Sequence, residues 1–211
     1  MAMTDKELKW IKRFQSMGAL WQMSDTKSPH VQTSMSGTHV DAYFNSDIVT
    51  CQPELLDQIV EDTLLPVLKF RDFKPDWIFT YAPYGILTAD AIARKLGVKC
   101  GYTNPLTDNF TGFKVTDNST VLVVSDDIYG GGGILGTIKA LENIGAKVIP
   151  IVFALANLSG NTELEGREII SAIQLHCNQY GAALCPLCKH GSKALIARSN
   201  WEELQSVSTL R

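Results

Sequence analysis

The 211-residue chain has no excess of positive charge, no long apolar run and no even set of cysteines. With 19 Lys and Arg against 22 Asp and Glu, a formal net charge of -3 and no basic cluster, it lacks the electropositive face that a nucleic-acid backbone requires. No stretch approaches the roughly 20 consecutive apolar residues of a membrane-spanning helix. The opening residues, MAMTDKELKWIKRF, have an amphipathic helical pattern and not the apolar core of a secretion signal. The five cysteines, Cys51, Cys100, Cys177, Cys185 and Cys188, are odd in number and unevenly spread, which argues against a secreted disulfide framework. These absences predict a cytoplasmic protein with neither nucleic acid nor membrane as partner.

What is present is enough apolar material, 45% of residues, to bury a sizeable core. Apolar groups at helical spacing predict helices over Lys6 to Leu20 and Ser46 to Phe70, around an irregular piece from Gln22 to Asn45. From Asp76 the texture alternates. Strands are predicted at Trp77 to Tyr81, Val98 to Tyr102, Val121 to Val124 and Val148 to Ala154, with helices at Gly85 to Leu96 and Ile134 to Ile144. Such alternation implies an α/β fold with a parallel sheet and right-handed crossovers. Glu168 to Cys177 fits neither period.

The stretch Val121 to Gly133, VLVVSDDIYGGGG, carries the strongest functional signal. Its apolar, β-branched start suits a strand buried on both faces, and Asp126 and Asp127 then stand at the carboxyl end, where open α/β sheets bind ligands. Gly130, Gly131, Gly132 and Gly133 leave backbone N–H groups open to an anion, at the start of a helix whose positive end points the same way. Carboxylates for ribose hydroxyls or a metal, beside glycines for phosphate, make a sugar-phosphate site. The bland alternative is a flexible solvent loop.

Four segments, taken in order, resemble the type I phosphoribosyltransferase family, and within it the orotate enzymes. Gly18-Ala19-Leu20 with Ser36 to Asn45 is similar to an N-terminal base-binding portion. Thr80 to Gly85 is similar to a pyrophosphate loop, Val121 to Gly133 to the phosphoribosyl pyrophosphate motif, and Cys185-Pro186-Leu187-Cys188-Lys189-His190-Gly191 to a tail found in one branch. The resemblance implies a type I phosphoribosyltransferase-like fold with a parallel five-stranded core sheet, flanking helices and an N-terminal hood. As a single domain it would divide into a hood (1–50), an α/β core (51–176) and a tail (177–211). It also implies a homodimer, and Mg2+-assisted transfer of ribose 5-phosphate from phosphoribosyl pyrophosphate to a nucleobase.

By the same resemblance, Asp126, Asp127 and Lys114 would be catalytic, the two acids holding metal. Tyr129 and Gly130 to Gly133 would bind phosphate; Ala82, Pro83, Tyr84 and Gly85 pyrophosphate; and Ser36, Gly37, Thr38, His39 and Tyr43 the base. The chain departs from the family pattern in several places. Ser125 and Asp126 align with the usual acid pair, with Tyr129 and Gly130 where the motif has threonines, and strand alternation turns Asp127 to the opposite side. Thr80 and Tyr84 replace loop glycines. The mobile loop, Thr103 to Thr120, offers Lys114 alone. A phosphoribosyltransferase-like binding protein with catalysis lost therefore stands beside the enzyme reading.

Cys185 and Cys188 have the spacing of half a zinc site, with Cys177 and His190 as candidate further ligands. With no second such pair, a reduced, metal-free turn is the expectation. His30 and His176 are expected to be structural.

Overall fold

The computed structural model describes residues 4–33, 36–104, 109–110 and 112–210. Along the chain come α1 (Asp5–Ser16), strands β1 (Leu20–Gln22), β2 (His30–Gln32), β3 (His39–Val40) and β4 (Ala42–Phe44), then α2 (Ser46–Thr50) and α3 (Pro53–Phe70). The alternating part follows as β5 (Trp77–Tyr81), α4 (Ile86–Leu96), β6 (Lys99–Asn104), β7 (Asn109–Phe110), β8 (Thr120–Ile128), α5 (Gly132–Asn143) and β9 (Lys147–Asn157). The chain ends with β10 (Glu163–Leu164), β11 (Arg167–Gln174), β12 (Gln179–Tyr180), α6 (Pro186–Lys189), β13 (Ala194–Ile196) and α7 (Trp201–Ser206).

These elements form two compact units. One contains Met1–Val49, Leu158–Gly160 and Ile173–Arg211; the other contains Thr50–Asn157 and Asn161–Ala172. Most of the residues expected as hood and tail thus fold together in one unit.

The second unit is built on a seven-stranded sheet ordered β10-β11-β9-β8-β5-β6-β7. Strands β9, β8, β5 and β6 are successively parallel, as the alternation predicts. The sheet is wider than the five strands expected, because β7 pairs antiparallel with β6 and the β10–β11 hairpin extends the other edge. The ambiguous Glu168 to Cys177 segment resolves mainly as β11. The β8–β9 register shifts between Val121 and Val123, opposite a stretch containing Pro150, whose missing N–H cannot serve the ladder.

Side-chain alternation on β8 sets the two faces of the sheet. Val121 and Val123 pack with Trp77, Phe79 and the apolar stripe Ile134, Ile138 and Leu141 of α5. On the opposite side α4 packs against β5, β6 and β8.

The first unit holds a four-stranded sheet ordered β12-β3-β2-β13 and the antiparallel pair β1–β4. Its core includes Trp10 and Phe14, one helical turn apart on α1, and Phe44, whose ring lies 5.3 Å from that of Phe14. Among the described residues no helix is long and apolar enough to cross a membrane.

Candidate active site

Strand β8 runs past the expected Val124 and carries both acids within it, ending at Ile128. Asp126 lies on the α4 side. It is 7% exposed, and its carboxylate accepts a 2.6 Å hydrogen bond from the buried Thr88 hydroxyl of α4. Asp127 shares the α5 side with fully buried Ser125 and is itself partly exposed. The two carboxylates therefore point to opposite sides of the sheet, as alternation requires. They do not converge on one point.

After Tyr129, which is half-buried, the chain turns through Gly130 and Gly131 into α5, two residues earlier than the sequence pattern indicates. Gly131 is the N-cap with φ of 72°, and a Cβ there would meet Leu164 Cδ1 at 2.6 Å. A Cβ on Gly133 would lie 2.8 Å from the Tyr81 ring, whereas Gly130 and Gly132 face open space. Two of the four glycines are thus required by the fold, and two leave backbone accessible. The first N–H groups of α5 have no intrahelical acceptor and carry the positive end of its dipole.

Tyr81 closes β5 with its ring centroid 6.3 Å from that of Tyr84. Burial, and then the negative charge of Asp127, push its phenol up to about 12. It is a neutral hydroxyl at physiological pH.

The loop Ala82, Pro83, Tyr84 and Gly85 follows, with a cis Ala82–Pro83 peptide. Thr80 Oγ1 donates to the Tyr84 carbonyl at 3.1 Å, and Gly85, at φ of 77°, caps α4. A Cβ at Gly85 would sit 2.3 Å from Thr80 Oγ1, so the threonine hydroxyl fills the inside of the turn. Where the family has a glycine that lets a diphosphate approach, this chain closes the loop upon itself.

Lys114 is exposed in the segment before β8. Its neighbour Phe113 is anchored, with ring centroids 5.1 Å from Tyr102, 6.0 Å from Phe79 and 6.4 Å from Trp77. The region read as a mobile loop from Thr103 begins as the end of β6 and its short partner β7. Its residues 105–108 and 111 lie outside the described set.

The residues expected at the base lie in the first unit. Ser36 and Thr38 hydroxyls are 2.7 Å apart, and Ser36 is 2.8 Å from the Thr33 hydroxyl, knitting the turn that Gly37 allows at φ of 64°. The Tyr43 ring stands 5.9 Å from Trp201. His39 is not presented for a base. It is 5% exposed, with Nδ1 2.9 Å from His30 Nε2 and 3.3 Å from Cys188 Sγ. His30, read from sequence as an unpartnered structural histidine, is its partner.

Magnesium, implied by the resemblance, meets a donor set of one kind. Asp126 accepts from Thr88 through Oδ1 on the α4 side, and Asp127 is the acid on the glycine-loop side of the sheet. One carboxylate suits an ion carried chiefly by substrate phosphates and waters. It does not suit an ion clamped between both acids.

No family model matches the chain. The orotate phosphoribosyltransferase of Chlorobaculum parvum is 28% identical over 159 residues, spanning 74% of this chain and 80% of that protein. Among solved structures, orotate phosphoribosyltransferase from Aeropyrum pernix superposes with a TM-score of 0.60 at 21% identity, covering 78% of this chain and 93% of that one. Adenine phosphoribosyltransferase from Thermoanaerobacter pseudethanolicus gives 0.55 at 22% identity, over 64% and 88%. The fold thus accommodates enzymes named for different bases. Strand, acid, glycine loop and helix in this order on this sheet give the chain the type I phosphoribosyltransferase fold, and its sequence is similar to that of the orotate enzymes.

Proposed function

We propose that the chain transfers ribose 5-phosphate from phosphoribosyl pyrophosphate to a nucleobase, orotate or a related one, at a low rate, as a cytoplasmic homodimer. The observation that carries this is the juxtaposition of Asp127, at the end of β8, with the exposed backbone of Gly130 and Gly132 at the start of α5. Backbone N–H donors and the helix dipole hold the 5-phosphate, while Asp127 accepts from a ribose hydroxyl and fixes the sugar in place. When bound, Mg2+ neutralises charge on the departing pyrophosphate, with Asp127 the residue to hold it. The Tyr81 hydroxyl, kept neutral, lines the same side without adding negative charge.

A low rate follows from what the leaving group meets. Pyrophosphate departs with developing negative charge, and losing one preorganised donor costs on the order of a hundredfold or more in rate. Thr80 fills the turn of the pyrophosphate loop, and Lys114 is the one Lys or Arg within Thr103 to Thr120. The same observations favour a second reading, a nucleotide or sugar-phosphate binding protein without turnover.

Thermal-shift measurements with phosphoribosyl pyrophosphate, with and without Mg2+, test binding, since a ligand of the native state raises the melting temperature. Turnover with a panel of bases tests chemistry. Magnesium-dependent stabilisation with slow transfer is expected. Stabilisation without transfer to any base selects the second reading, and no response to phosphoribosyl pyrophosphate overturns both.

A further inference from the structure

Four donors from distant parts of the chain meet in the first unit. His30 lies on β2 and His39 on β3, which pair antiparallel. Cys185 precedes α6 and Cys188 lies within it. His30 Nε2 stands 2.9 Å from His39 Nδ1, 3.7 Å from Cys185 Sγ and 3.6 Å from Cys188 Sγ, and His39 Nδ1 is 3.3 Å from Cys188 Sγ. All four atoms lie within 4.8 Å of one another.

The geometry points to a structural zinc site formed by His30 Nε2, His39 Nδ1, Cys185 Sγ and Cys188 Sγ. Tetrahedral zinc, with Zn–S of about 2.3 Å and Zn–N of about 2.0–2.1 Å, separates two nitrogens by roughly 3.3 Å and a nitrogen from a sulfur by roughly 3.6 Å. The four nitrogen–nitrogen and nitrogen–sulfur distances given above, 2.9 to 3.7 Å, lie within about 0.5 Å of these edges. Two thiolates with two imidazoles in tetrahedral array are the donor set that zinc takes in closed structural sites.

The surroundings orient the ligands for an ion. Ser192 Oγ donates its one proton to the Ser28 carbonyl at 2.5 Å, so toward His30 Nδ1, 2.6 Å away, it can only accept. Nδ1 of His30 therefore carries the proton, and Nε2 turns a bare lone pair into the cluster. This is the outer-shell device by which metal-binding histidines are held in one tautomer. A metal-free pair needs only His39 Nδ1–H donating to His30 Nε2. It leaves unexplained why two sulfurs, weak donors and acceptors, converge on the same nitrogens.

The two other candidate ligands are directed elsewhere. His190 Nδ1 donates to the Pro186 carbonyl at 2.6 Å, and the Cys177 thiol donates to the Ala42 carbonyl at 3.3 Å. Cys188, the exposed member of the four, gives an ion its way in. Binding displaces the thiol protons and the His39 Nδ1 proton to solvent, and ties the β2–β3 hairpin to the tail. The metal-free turn expected from one cysteine pair is thereby replaced by a complete set of ligands, half of them some 150 residues upstream.

The test uses the intact wild-type chain, expressed with zinc in the medium and purified without chelator. Elemental analysis is expected to find about one zinc per chain, and Co2+ exchanged into it should give the intense visible bands of a tetrahedral site with thiolate charge transfer. Ser192→Ala, which alters no ligand, should weaken zinc about 10- to 100-fold in a chelator competition. Cys177→Ser and His190→Ala should retain it. The proposal is overturned by folded protein that holds no zinc and gives no cobalt spectrum, by a Cys185–Cys188 disulfide in the purified chain, by iron in zinc's place, or by loss of zinc in either of the last two variants. None of these readouts depends on phosphoribosyl transfer.

Discussion

At the scale of single residues the two acids of β8 separate by neighbour, not by type. Asp126 is bound to the buried Thr88 hydroxyl, so Asp126→Ala should leave that donor unsatisfied and cost about 1–3 kcal/mol in urea unfolding. Asp127→Asn, which keeps the shape of the side chain, should lose the magnesium-dependent thermal shift while the protein still folds. The opposite pattern would assign the ligand role to Asp126. Tyr81 permits a prediction in pH. Its ordinary value is 10.0 and the folded chain raises it to about 12, so between these values the unfolded chain has lost the phenolic proton while the folded chain keeps it. Its stabilising contribution is complete below pH 10 and disappears as pH rises toward 12. Tyr81→Phe should flatten the fall in stability over that window, read by denaturant titration at successive pH values.

At the scale of elements the start of α5 decides most. Gly131 holds a left-handed conformation as N-cap, and its missing side chain leaves room for Leu164. Gly131→Ala should destabilise by about 1–3 kcal/mol through backbone strain alone. Gly130→Ala and Gly132→Ala meet nothing within 4 Å, so both should fold normally while weakening the thermal shift given by phosphoribosyl pyrophosphate. Unchanged ligand response in both would remove the phosphate from this loop. The edges of such elements were harder to read than their existence. Strands β2, β3 and β4 have two or three residues each, too short to show a period, and so Gln22 to Asn45 read as irregular. Strand β8 outran its apolar run because hydrogen bonding to β9 continues through Asp127 to Ile128, whatever the polarity of the side chains.

At the scale of the whole molecule, the first unit is assembled from both ends of the chain. Trp21 Nε1 donates to the Leu204 carbonyl at 2.9 Å in a buried setting, Trp201 Nε1 to the Gly18 carbonyl at 3.0 Å, and Gln205 Nε2 to the Leu20 carbonyl at 2.9 Å. β13 pairs parallel with β2, joining the same two ends of the chain. A chain ending before Trp201 would expose Trp21 and leave its indole N–H without its acceptor. Its tryptophan emission should shift to the red and its melting temperature fall; an unchanged spectrum would show that α7 is dispensable to the core.

The local patterns of the sequence determined the α/β alternation, the places of the four parallel strands along the chain, and the place of the acid pair beside the glycine run. These are encoded by apolar periodicity and by Gly and Pro, which act over a few neighbours. Alternation along β8 even determined that Asp126 and Asp127 point apart. Tertiary structure alone decided that Asp126 is held by Thr88, which belongs to a different element, and that Thr80 closes the pyrophosphate turn. It alone decided the company of His39 as well. His30 and His39 are nine residues apart on paired strands, and Cys185 and Cys188 reach them only because the tail folds against the β2–β3 sheet. No spacing in one stretch of chain can carry a site whose ligands are brought together by long-range strand pairing.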